Sequence, residues 1–166
     1  MLNIRLRREI WLMKTEFITP FMVAATEVLK TEVNAEIERG ELTVRKAATT
    51  AQEVTIMVGV TGDVMGAVFY GMPNRAACQI ASAMLGQRLP VFDEVVESGI
   101  AELGNVITGR ASMGLESAGY KCRLTPPTII SGQGVIISTV EISQLVIPLK
   151  TQYGPIEIGV ALRAAN

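Results

Sequence analysis

The stretch "ESGIAELGNVITGRASMGLESAG", residues 97–119, sets a hydroxyl, a carboxylate and a carboxamide at a spacing that can do chemistry. On a helix of about 100° per residue, Ser98, Glu102 and Asn105 fall within about 60° of one another. A carboxamide accepts through its oxygen and donates through its nitrogen at the same time. Asn105 could hold a water by its oxygen while its N–H steadies a phosphoryl oxygen, and phosphoryl hydrolysis is mostly positioning and electrostatics. A carboxylate repels a bare phosphate, so Glu102 makes better sense paired with a cation, such as a lysine on a macromolecular partner. The stripe therefore reads better as a protein-docking edge that delivers an amide than as a pocket for a small phosphate ester. Gly109 continues the stripe one turn later, where smallness suits a partner that comes close. A plain solvated helix face is the competing reading, and it leaves Gly109 without a reason.

Composition narrows the chemistry further. The 166 residues contain no histidine, which removes Ser–His and Cys–His hydrolases and most zinc sites. Asp63 and Asp93 are the only aspartates, so neither an Asp-rich metal cage nor an internal aspartate-phosphate pocket is expected, and no cofactor is expected in this chain. Cys78 and Cys122 form no C-x-x-C pair and are read as two reduced, buried thiols. With 49% hydrophobic and 19% charged residues the chain has a packed composition, yet no apolar run approaches the ~18 residues of a membrane span. A cytoplasmic protein is expected, with no nucleic-acid partner. The net charge of −1 is uneven, because residues 1–14, "MLNIRLRREIWLMK", hold four basic residues and one acidic. That segment is read as a basic extension without fixed structure ahead of a single domain over 15–166, with a short amphipathic helix touching a membrane or partner as the alternative.

The elements that must position the stripe follow from periodicity. "ITPFMVAATEVLKTE" predicts a first helix, with Thr19 as cap and Pro20 at its first position. A charged connector, "VNAEIERGE", leads to a strand at "ELTVRKA". "EVTIMVGVTG" and "VMGAVFYGM" flank Thr61-Gly62-Asp63 and read as an antiparallel hairpin. Pro73 opens a second helix that Gly86 stops, and "QRLPVFDE" is a loop before a long helix at about 93–118. On that helix Val96, Ile100, Leu103 and Ile107 oppose the polar stripe and are read as core. Gly99, Gly104 and Gly114 lie to its sides or toward the core, where a missing side chain lets a neighbouring element approach. Pro126-Pro127 reads as a rigid approach to the strands "TIISG", "GVIISTVEI", "SQLVIPLK" and "GPIEIGVALR", the last two forming a second hairpin over 143–163. The methionines are read as core filler. Strands grouped between helices give an α+β fold, a largely antiparallel sheet with a long central helix pair.

The motif helix followed by "LTPPTIISG" resembles the CheX-type phosphatases of the CheC/CheX/flagellar-switch superfamily. Their motif is Asp or Ser, three residues, Glu, two residues, Asn; Ser98, Glu102 and Asn105 match it in type and spacing. The resemblance covers roughly residues 15–163 and implies a CheC/CheX-like fold. It implies hydrolysis of the aspartyl phosphate of a phosphorylated CheY-like response regulator. Asn105 would orient the attacking water, Glu102 would pair with the regulator's phosphate-site lysine, and Ser98 would sit at the edge of the contact. Mg2+ would belong to the regulator, and the chain would form a homodimer through sheet strands. A second copy of the motif, found on the first helix of CheC-type relatives, is interrupted here: Glu27-Val28-Leu29 is followed by Lys30 where asparagine is needed. One active face per chain is expected. A non-catalytic, receiver-binding adaptor or flagellar-switch-like scaffold is the alternative, and the intact Asn105 favours the enzyme.

Overall fold

Alternating burial builds the centre of the molecule. In the hairpin Val54–Gly62 (β4) and Val64–Met72 (β5), Val54, Ile56, Val58, Val60, Val68, Tyr70 and Met72 point to one side and are buried. The computed structural model describes Ile4 and residues 15–45, 48–50, 52–138 and 143–165. The extension expected over 1–14 lies outside those residues, Ile4 apart, as does the end of the strand expected at "GVIISTVEI".

Three helices are described: Thr15–Val33 (α1), Asn74–Leu85 (α2) and Glu94–Ser117 (α3). The other strands are Glu38–Arg39 (β1), Thr43–Arg45 (β2), Ala48–Thr50 (β3), Cys122–Leu124 (β6), Thr128–Ser131 (β7), Ile136–Ser138 (β8), Gln144–Thr151 (β9) and Gly154–Ala164 (β10). An eight-stranded sheet runs β1-β9-β10-β5-β4-β6, with β2 also on β9 and β7 also on β4; β3 and β8 form a separate pair. Every pairing among the described residues is antiparallel. The two predicted hairpins, β4–β5 and β9–β10, lie side by side through β5 and β10. The helices cover one face of this sheet, and α1 and α3 are the long pair anticipated from the sequence.

Several boundaries differ from expectation. Helix α1 begins by Thr15, so Pro20 lies inside it rather than at its first position. An interior proline costs about 3 kcal/mol. Burial of Phe17 and Ile18 upstream offsets that cost, and burying such side chains contributes roughly 1.5–3 kcal/mol each. Phe17 also stacks edge-on against Tyr120, and the Tyr120 hydroxyl donates to Glu16 at 2.8 Å. The segment read as a connector contains β1, which pairs Glu38 and Arg39 with Lys150 and Leu149. Strand β6 was not anticipated: it is short, and its reason for existing is its ladder to β4. Pro126-Pro127 does lead into β7, and Thr125 just ahead accepts the Gly59 N–H at 2.8 Å.

Helix α2 ends at Gly86, which adopts the left-handed conformation (φ 65°), as predicted. Cys78 is buried but Cys122 is only half-buried, and both are free thiols. Met113 is exposed, contrary to the reading of the methionines as core.

Candidate functional site

Helix α3 begins because Asp93 caps it, its carboxylate accepting from the N–H groups of Val95 at 3.0 Å and Val96 at 3.1 Å. Glu94 and Glu97 add negative charge to the first turn, where the helix dipole favours it. Val96, Ile100, Leu103, Ile107, Ala111 and Leu115 are buried against the sheet and the other helices. That apolar stripe fixes the rotation of α3. Ser98, Glu102 and Asn105 consequently face outward and are all exposed. Among the described residues, none of the three side chains is engaged in a hydrogen bond or ion pair.

The glycines of α3 divide as the wheel predicts. A Cβ on Gly99 would touch Ala81 of α2 at 3.5 Å, and one on Gly114 would meet Pro20 of α1 at 3.0 Å. A Cβ on Gly104 would come within 2.8 Å of Ile56 of β4. Gly109 differs: nothing lies within 4 Å of where its Cβ would be. Two of these glycines carry extra restraint. The Thr108 hydroxyl donates to the Gly104 carbonyl at 2.7 Å, and the Ser112 hydroxyl to the Gly109 carbonyl at 2.7 Å. The propensity cost of each glycine, about 1 kcal/mol relative to alanine, remains.

A second restraint was not foreseen. The Tyr70 hydroxyl of β5 meets Thr108 Oγ1 at 2.7 Å, with both side chains buried. Burial pushes the Tyr70 hydroxyl's pKa up, and the Thr108 bond only partly opposes this. Two ordinary residues separated by 38 positions carry no pattern that would have revealed the pair. Asp93 could have been found, since an aspartate just ahead of a helical run is a capping signal.

The first helix offers no second copy of the stripe. Glu27 lies 3.5 Å from Arg110 of α3, and Lys30 is exposed one turn along. Arg110 thus reaches across to α1 beside the stripe. Arg75 lines a separate groove between α2 and the loop before α3. Trp11 lies outside the described residues.

A largely antiparallel sheet covered on one face by a long helix pair is the architecture of CheC-like proteins. A CheC-like superfamily protein from Shewanella sp. PV-4 superimposes with a TM-score of 0.83 at 27% identity, covering 92% of this chain and 100% of that one. The CheX–CheY–BeF3–Mg2+ complex from Borrelia burgdorferi matches with a TM-score of 0.78 at 28% identity, covering 89% of this chain and 97% of that one. The family model for the chemotaxis phosphatase CheX matches residues 54–150, and the chain belongs to that family. The CheY-P phosphatase CheX of Thermotoga maritima is 27% identical over 128 residues, 76% of this chain and 83% of that protein. The family-model match takes in β4, β5 and the whole of α3, including Ser98, Glu102, Asn105 and Gly109.

Proposed function

We propose that this chain hydrolyses the aspartyl phosphate of a phosphorylated CheY-like response regulator, using the outward edge of α3. The observation that carries the reading is an exposed, internally unengaged carboxamide at Asn105, one turn from an exposed carboxylate at Glu102. Both sit on a helix whose rotation is fixed by a buried face. In this reading Asn105 enters the regulator's active site, accepts a hydrogen bond from the attacking water through Oδ1, and donates from Nδ2 to a phosphoryl oxygen. Water attacks phosphorus, the bond to the aspartyl oxygen breaks, and inorganic phosphate leaves with the regulator's carboxylate restored. Glu102 pairs with a cationic side chain of the regulator, and Ser98 and Gly109 border the contact. Mg2+ is assigned to the regulator, where it neutralises phosphoryl charge. The substrate makes the location cytoplasmic, and the 49% hydrophobic content supports a homodimer joined through sheet strands.

The test is the decay of a regulator's acyl phosphate with and without the protein, followed as inorganic phosphate release. Accelerated decay that is lost in Asn105→Ala, with regulator binding retained, supports the assignment. Unchanged decay alongside binding means that the adaptor reading holds instead. Sedimentation of the purified chain tests the dimer, and a monomer at micromolar concentration overturns it.

A further inference from the structure

Along α3, two exposed apolar side chains bracket the polar edge. Val95 is 44% exposed in the first turn, and Met113 is 67% exposed in the last turns. They are eighteen residues apart, about five turns of 3.6 residues, so they share one azimuth and stand about 27 Å apart. Glu102 lies only about 20° from that azimuth, and Asn105 about 80°. Ser98, Glu102 and Asn105 together extend about 10 Å along the axis. A specific interface covers about 800 Å² per partner, a patch roughly 30 Å across. The polar edge alone falls well short of that, whereas Val95 to Met113 matches it.

The apolar surface also continues outward at both ends. Val91 is exposed in the loop ahead of Asp93, and Val23 of α1 is exposed beside Met113. Val23 and Met113 share a largely apolar groove of about 830 Å³ between α1 and α3, with Pro20, Ala24 and Gly114 in its walls. An exposed methionine suits a contact that must adapt in shape, because its chain is flexible and polarisable. By azimuth, both anchors lie on the side of the stripe toward Arg110, which reaches α1, rather than on the side of Ser112.

We propose that Val95 and Met113 are the apolar anchors of the regulator's footprint, so that the bound regulator leans toward α1 rather than standing squarely over Asn105. This rests on the docking edge described above, and the occupant is the same phosphorylated regulator. The polar residues supply chemistry and charge pairing. Val95 and Met113 supply the desolvated contact that holds the partner during turnover. Burial of such side chains is formed on docking and is the same in the ground and transition states, so it acts on KM and not on kcat.

The experiment is steady-state hydrolysis of a phosphorylated CheY-like regulator by Val95→Ser, Met113→Ser and the double variant. Ile136→Ser, an exposed apolar site on the separate β3–β8 pair, serves as the control. Each single variant raises KM about threefold to tenfold with kcat unchanged. The double variant multiplies the two effects, because sites this far apart act independently. Ile136→Ser matches the wild type. Thermal melts confirm that the exposed substitutions leave the fold intact, and the methyl resonance of Met113 shifts on regulator binding in the unmutated protein. A double variant with wild-type KM, or a loss confined to kcat, overturns the anchors. If Asn105→Ala is then inactive, only the footprint inference fails. If Asn105→Ala is fully active, the docking edge itself fails.

Discussion

The hydroxyls of Tyr70 and Thr108 meet at 2.7 Å inside the core, joining strand β5 to α3 one turn beyond Asn105. Thr108 donates its single proton to the Gly104 carbonyl, so Tyr70 is the donor to Thr108. The result is a chain of two hydrogen bonds from sheet to helix backbone, with both side chains buried away from bulk solvent. Thr108→Val keeps the shape and removes the acceptor, leaving the Tyr70 hydroxyl buried and unpaired. The expected loss is about 1–3 kcal/mol, read as a lowered urea midpoint at unchanged slope.

The same tyrosine makes stability sensitive to alkali. Burial raises the pKa of Tyr70 in the folded chain above the ~10 of an unfolded one. Its contribution is therefore complete below about pH 10 and is lost as pH rises beyond that, because only the unfolded chain ionises easily. From pH 9 to pH 11 this group alone costs about 1.4 kcal/mol in all, and the slope steepens toward that figure per pH unit above pH 11. Urea titrations between pH 9 and 11 should show a steeper decline for the wild type than for Tyr70→Phe. Parallel declines would mean that Tyr70 is not the group responsible.

Local patterns were legible in the sequence, and long-range partnerships were not. The buried face of α3, its outward polar edge and the two hairpins follow from periods of 3.6 and 2, which any short window displays. The split between Gly109 and the other three glycines of α3 was legible for the same reason, since azimuth alone separates them. The Tyr70–Thr108 pair and strand β6 depend on residues brought together only by the finished fold. Pro20 misled because proline at a first helical position is a good local rule, and it lost to the burial of Phe17 and Ile18. Met113 shows the limit of composition: methionine is usually filler, and only its azimuth beside Glu102 sets it apart.

Gly104 and Gly109 are five residues apart on one helix and should respond oppositely to alanine. A methyl on Gly104 would lie 2.8 Å from Ile56 Cγ2, so strand and helix must separate, costing about 1–3 kcal/mol against a propensity gain of about 1. A methyl on Gly109 meets nothing within 4 Å, so that substitution keeps the propensity gain and raises the melting temperature. If the regulator approaches the helix closely there, Gly109→Ala is the more stable and the weaker phosphatase, with a raised KM. Melting curves and phosphate release on the two variants decide both points. A Gly109→Ala protein with unaltered KM removes that residue from the contact.

Glu102 is expected to act through its charge, and salt separates charge from shape. Screening shortens from about 10 Å at 0.1 M to about 3 Å at 1 M ionic strength. An exposed carboxylate pairing with a cation on the regulator should therefore give a KM that climbs with salt. Glu102→Gln keeps the side chain's size and removes the charge. Its KM should be several-fold higher than wild type at low salt, as expected for the loss of a partly exposed charge pair of about 1 kcal/mol, and should change little as salt is added. The two curves should converge near 1 M. Because Asn105 is neutral and works only on the bound phosphoryl group, kcat should be common to both proteins throughout. Equal salt slopes for wild type and Glu102→Gln would show that the cation on the regulator is gripped by another residue.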